Sequence, residues 1–149
     1  MVLTRKLKND NPVVHMNGEH IRLVDEIRFL GLTIDRKLTF IPHVAKTCNK
    51  ATNIYKGLAR AAKVTWGLSP GIVRTIYIYI YIYVIEPIVL YASCIWTPAT
   101  SKVGVWKMIN AVQRNVALKA CRAHRTVSLH SALILPRLLP FDIRARKAA

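Results

Sequence analysis

Carboxylates are scarce in this chain. It has 149 residues, with 7 Asp+Glu against 23 Lys+Arg, a net charge of +16. Between Arg36 and Phe141 the sole acid is Glu86. A two-metal site holds Mg²⁺ with clustered carboxylates, so catalysis of that kind is not expected within this chain. Cysteine is sparse as well. Cys48, Cys94 and Cys121 are odd in number, widely spaced and without a C-x-x-C pair. They indicate neither a disulfide framework nor a zinc site, and a reducing compartment is the default. No Gly-x-Gly-x-x-Gly, Walker loop, His-Glu-x-x-His or Gly-x-Ser-x-Gly occurs. His15, His20, His43, His124 and His130 show no metal-ligand spacing and read as surface or structural residues. Met1 to Asp10 has no apolar core and does not resemble a secretory signal.

Apolar residues make up 52% of the chain, which excludes a disordered tail and gives one domain enough material for a core. The surplus of positive charge says nothing about fold. It points to a polyanionic partner, nucleic acid first.

Five of the seven acids lie in the first 35 residues, and none lies between Arg36 and Val84. That shift marks a boundary near residues 36–42. Before it the signals are β. Val13–Met16 and His20–Leu23 flank Asn17-Gly18, a strong hairpin signal, because a type I′ turn needs positive φ at both central residues. Ile27–Ile34 reads as a third short strand. After the boundary the signals are helical. Pro42 suits a first turn. Val44, Cys48, Ala51, Tyr55, Leu58 and Ala62 recur with 4-3-4-3-4 spacing and fall in one stripe. Lys46, Lys50, Lys56, Arg60 and Lys63 fall on the opposite side. Ordinary solvated faces mix signs to gain i,i+4 pairs. Five bases and no acid over residues 46–63 indicate a phosphate-facing surface instead.

Trp66-Gly67-Leu68 reads as a helix stop, and Ser69-Pro70 as the cap and first position of the next helix. Val103, Trp106, Ile109, Val112 and Val116 form a further helical stripe. The tail, with Pro136 and Pro140, carries no stop signal and reads as a linker cut short.

Ile76–Tyr83 is four Ile-Tyr pairs in a row. By propensity alone it is a strand, yet its alternation defines no polar face and no register. As a membrane span it falls short: the apolar run Ile76–Ile85 has ten residues against the ~20 a bilayer needs. Ile-Tyr is also what an alternating A-T microsatellite encodes. Four residues inserted into a helix would turn its downstream part by about 40°.

The order of several blocks carries a resemblance. Ile27-Arg28-Phe29-Leu30-Gly31-Leu32-Thr33-Ile34-Asp35 is followed by His43, Trp66-Gly67-Leu68-Ser69-Pro70 and the Ile-Tyr tract. Then come Val84-Ile85-Glu86-Pro87-Ile88, Leu90-Tyr91-Ala92-Ser93, Trp96, Gln113-Arg114, Arg125-Thr126-Val127-Ser128 and Leu139-Pro140-Phe141-Asp142. This run resembles the region just after the palm in reverse transcriptases of non-LTR (LINE-type) retrotransposons, arthropod ones in particular. The resemblance covers essentially the whole chain, and its strength lies in the order of the blocks.

It implies a mainly α fold with a short N-terminal antiparallel β segment, an α+β arrangement ending in a helical thumb-like bundle. Residues 1–38 would be the end-of-palm hairpin and a primer-grip-like strand. Residues 39–125 would be the thumb, and 126–149 a truncated linker. Phe29, Leu30 and Gly31 would sit near the primer 3′ end. The implied partners are an RNA/DNA template–primer duplex and the remainder of a reverse transcriptase polyprotein, with no membrane. The location would be nuclear or cytoplasmic, not secreted. The family's catalytic aspartates belong to an upstream Asp-Asp motif, and no Asp-Asp pair occurs here. No cofactor is therefore expected in this chain, and Mg²⁺ is implied for the parent polymerase. In the family pattern the tract has room for one or two Ile-Tyr pairs rather than four. Met1 resembles an internal methionine of a longer polyprotein. The alternative is a domesticated or relic basic nucleic-acid-binding protein without catalysis.

Overall fold

The computed structural model describes residues 13–21, 24–64, 69–134 and 136–148, the side chains of 61–64 excepted. The fold is mainly α with a small antiparallel β part. It divides into two compact units, Met1–His43 and Val44–Ala149.

The first unit holds two hairpins. Strands β1 (Val14–Met16) and β2 (Glu19–Ile21) pair antiparallel, with His15 opposite His20. Their turn residues, Asn17 and Gly18, have φ of 54° and 82°. Both values are positive, as a type I′ turn requires. The expected third strand is instead a second hairpin, β3 (Glu26–Phe29) and β4 (Leu32–Asp35), with Ile27 opposite Ile34. Leu30 and Gly31 turn the chain at φ 46° and 81°. A leucine in the left-handed region is disfavoured by its Cβ, so this turn carried no sequence signal. β4 is mostly buried and β3 is exposed.

Asp35 closes β4 and organises the loop that follows. Its carboxylate accepts hydrogen bonds from Thr39 N at 3.0 Å, Thr39 Oγ1 at 2.8 Å and Phe40 N at 2.7 Å. Leu38 and Phe40, neither of them glycine, have φ of 53° and 54°. Such backbone persists when its surroundings over-determine it, and the bonds to Asp35 do so. His43 is buried, and its Nδ1 accepts the Thr33 N–H at 3.2 Å.

Helix α1 (Ile41–Val64) buries Val44, Cys48, Ala51 and Tyr55, the stripe read from the sequence. Leu58 is half-buried. Burial pushes the Cys48 thiol up to about 11, and burial with the nearby Tyr77 pushes the Tyr55 hydroxyl up to about 12. The expected stop at Trp66-Gly67-Leu68 lies outside the described residues, as does the side chain of Ala62.

The Ile-Tyr tract is helical. α2 (Pro70–Ile80) starts as expected, with Ser69 Oγ accepting the Ile72 N–H at 3.5 Å and Pro70 in the first turn. It continues through a π turn (Tyr81–Ile85) into α3 (Glu86–Leu90). The buried apolar residues are Tyr77, Tyr81, Ile85 and Val89, always four apart. At 3.6 residues per turn, twelve residues would carry that stripe about 120° around the helix. The wider i→i+5 turn rotates less per residue and takes part of that drift back. Because the repeat has period two, residues four apart are alike. One tyrosine pair, Tyr77 and Tyr81, faces inward. The other, Tyr79 and Tyr83, is exposed and stacked at 5.7 Å. Helix 70–90 is therefore 21 residues long and apolar enough to cross a membrane by length and composition, with 28% of its most apolar window buried. The ten-residue run had understated it.

Ala92, at φ 53°, breaks the helix before α4 (Ser93–Trp96) and a 3₁₀ turn (Thr97–Ser101). Trp96 is buried, and its Nε1 donates to the Tyr91 carbonyl at 2.8 Å. α5 (Val103–Ala120) packs against α2, α6 (Leu129–Ile134) and α7 (Phe141–Ala148). It buries Val105, Ile109, Val112, Gln113, Val116, Ala117 and Ala120. Val103 and Trp106, read as part of its apolar stripe, are 65% and 45% exposed. The segment 126–149, read as a linker, holds α6 and α7, with Phe141 and Ala145 buried.

Candidate nucleic-acid interface

Two sets of residues are candidates for contact with nucleic acid. The first is the outer face of α1, where Lys46, Lys50, Lys56 and Arg60 are all exposed, opposite the buried stripe. Lys63 lies in the last turn of the same helix, and its side chain is outside the description. No acid stands anywhere on α1. At about 100° per residue these positions span an arc of roughly 140°. A rod-like row of like charges is suited to track a phosphate backbone, where each neutralised phosphate releases counterions.

The second set is the tip of the β3–β4 hairpin. Phe29 and Leu30 are 62% and 77% exposed, and Gly31 is exposed beside them. The positive φ of Leu30 and Gly31 projects this tip out of the ladder. An apolar knuckle of that kind can press on a sugar or base where a charged one would bind phosphate. The tip lies in the first unit, and all but the first turn of α1 lies in the second.

The motif blocks of the second unit converge on a buried polar cluster instead. Gln113 has no exposed surface. Its Nε2 donates to Tyr81 Oη at 2.6 Å and to the Leu139 carbonyl at 2.8 Å, and its Oε1 accepts the Phe141 N–H at 3.2 Å. It thus uses both amide hydrogens and the amide oxygen, and it caps α7 from another helix. The Phe141 ring stacks on Tyr81 at 5.3 Å. Burial pushes the Tyr81 hydroxyl well above its ordinary range. Beside it, Arg144 of α7 pairs with the buried Glu86 through Oε1. Arg114 Nη2 donates to the Arg125 and Val127 carbonyls at 2.5 and 3.0 Å. These blocks hold α7 and the loop before α6 onto the bundle. Sequence reasoning found the blocks but not this role, because the contacts join residues 11 to 58 apart. Among the described residues, no three of His, Cys, Asp or Glu come together as a metal site would require.

Comparison with known proteins points one way. The chain is 29% identical, over 93% of its length, to the 115 kDa protein of the type-1 retrotransposable element R1DM of Drosophila melanogaster. It is 26% and 28% identical, over 91% and 100% of its length, to two retrovirus-related Pol polyproteins from R1 elements of Nasonia vitripennis. Its relatives are therefore Pol polyproteins of arthropod R1 non-LTR retrotransposons. The chain spans 13% of the Drosophila protein and 33% and 41% of the two Nasonia ones. No family model and no solved structure matches it.

Proposed function

We propose that this chain is the part of a retrotransposon reverse transcriptase that follows the palm and grips the template–primer duplex. In this reading α1 lays Lys46, Lys50, Lys56, Arg60 and Lys63 along the phosphates. Phe29, Leu30 and Gly31 touch the primer end. Polymerisation, with its Mg²⁺, belongs to the remainder of the polyprotein, so this chain binds and positions without catalysing. The supporting observation is the acid-free cationic face of α1, exposed opposite a buried apolar stripe.

The test is binding of a labelled RNA/DNA hybrid to the chain across a salt series. The affinity of the wild-type chain should fall steeply with salt, by roughly 0.9 log units per log of salt for each phosphate contacted, the B-form value. Lys46→Ala, Lys50→Ala, Lys56→Ala and Arg60→Ala together should flatten that slope. An unchanged slope and affinity would remove α1 from the interface.

One observation favours a second reading, membrane attachment through helix 70–90, which is long and apolar enough to span. The same helix, however, commits Tyr81 to Gln113 and Glu86 to Arg144. Retention of the expressed chain in the membrane pellet after carbonate extraction would establish the membrane reading. Release into the supernatant would leave duplex binding.

A further inference from the structure

The first turns of α5 carry a patch that packing leaves unexplained. Val103 and Trp106 stand three apart, the first largely and the second nearly half exposed, while the neighbouring Val105 and Ile109 fill the core. Lys102 and Lys107 are exposed on either side of them, and Asn110, one turn beyond Trp106, is half-buried. Lys102 and Trp106 are four apart, as are Val103 and Lys107, so the group forms one continuous surface on the helix. The nearest acids in sequence are Glu86, buried against Arg144, and Asp142.

We infer that this patch binds single-stranded nucleic acid, separately from the duplex face on α1. Nucleobases have apolar faces that stack on an aromatic side chain, and single strands leave those faces accessible. The indole of Trp106 supplies the platform and Val103 extends its apolar edge. Lys102 and Lys107, exposed on either side of it, can meet phosphates flanking a stacked base. Asn110 offers an amide to a base edge. A duplex hides its base faces, so the patch discriminates by strandedness. The acid-free run of residues 87–141 that contains it matches a polyanion and disfavours a basic partner. The inference goes beyond the duplex reading and does not depend on it, since it uses different residues on a different helix.

The experiment measures anisotropy of a labelled oligo(dT) 20-mer and of a labelled duplex against the full chain. Trp106→Ala should weaken oligo(dT) binding roughly fivefold or more, the loss of one stacked base, and leave duplex binding within twofold. Trp106→Phe should retain most of the oligo(dT) affinity. Lys102→Gln with Lys107→Gln should flatten the oligo(dT) salt slope by about 1.4, at ~0.7 per phosphate on a single strand. Trp106 and both lysines are exposed, so these variants should keep the wild-type circular dichroism spectrum. Equal losses on both oligonucleotides, no loss on oligo(dT), or a phenylalanine variant as weak as the alanine one would each overturn the site. So would binding of Trp106 to anionic vesicles with no effect on oligo(dT).

Discussion

Gln113 should be the polar residue whose loss costs the second unit most. Replacing it with leucine keeps about the same volume and removes three hydrogen bonds at once. The Tyr81 hydroxyl, the Leu139 carbonyl and the Phe141 N–H then face an apolar group. A buried polar group left without a partner costs about 1–3 kcal/mol. Phe141 N–H begins α7 and can recover part of this by fraying toward water. The expected loss is therefore about 3–5 kcal/mol, a large share of the ~5–15 kcal/mol that holds a domain together. Tyr81→Phe removes one bond and leaves Gln113 its two others, for a loss near 1 kcal/mol. In the double variant the Tyr81 hydroxyl is no longer stranded, so the two losses should sum to about 2 kcal/mol or more above the measured double. The assay is urea unfolding followed by tryptophan fluorescence, to which the buried Trp96 of the same unit contributes. A Gln113→Leu loss under 1 kcal/mol, or strict additivity with Tyr81→Phe, would refute the clamp.

Three other outcomes follow from the same geometry. Burial raises the Asp35 carboxyl, but its bonds from Thr39 and Phe40 outweigh this and hold it below the ordinary value of 3.8. A depressed carboxyl stabilises above its unfolded value and loses that stability as pH falls through the folded one; the first unit should weaken below about pH 4, and Asp35→Asn should abolish that acid dependence in amide exchange of Thr39 and Phe40. Arg144→Met leaves Glu86 buried without its cation and should cost more than Glu86→Gln with Arg144 intact, by about 2 kcal/mol, in the urea assay. Deleting Ile82 should change stability by less than about 1 kcal/mol, whereas deleting Glu86 should be severe, because the first edit restores α-helical spacing and the second removes an ion pair.

Local chemistry decided which parts could be read in advance. Asn17-Gly18 announced its hairpin because those two residues accept positive φ cheaply. Leu30-Gly31 makes the same turn with a leucine where asparagine would be expected, so it read as continuous strand. The stripe and the cationic face of α1 were legible because charge and period agree over about five turns. α5 was legible as a helix but not in its rotation. The stripe 103-106-109-112-116 and the observed 105-109-112-116-120 share three positions. Local period cannot choose between them at the first turn, where neighbouring elements decide what is covered. That choice exposed Trp106. Gln113 was out of reach for the same reason: its partners are set by tertiary contact with residues 81, 139 and 141.

The Ile-Tyr tract shows how a sequence with no positional information still finds a position. Strand propensity is overridden because both ends are committed. Ser69 and Pro70 start a helix upstream, and Glu86 is tied to Arg144 downstream. Between these anchors the tract must bring Tyr81 to Gln113 and Ile85 to the core. Stretching the helix by four residues adds one turn plus about 40°, which a rigid α-helix would pass on to Glu86. A π turn at Tyr81–Ile85 rotates in the opposite sense relative to α geometry and sits where the correction is needed. With period two, any even slip of the tract still offers tyrosine to Gln113. The anchors at 69–70 and 86, rather than the repeat, therefore fix the register. The wide turn is the backbone's way of fitting a tract longer than one α-helical register would allow.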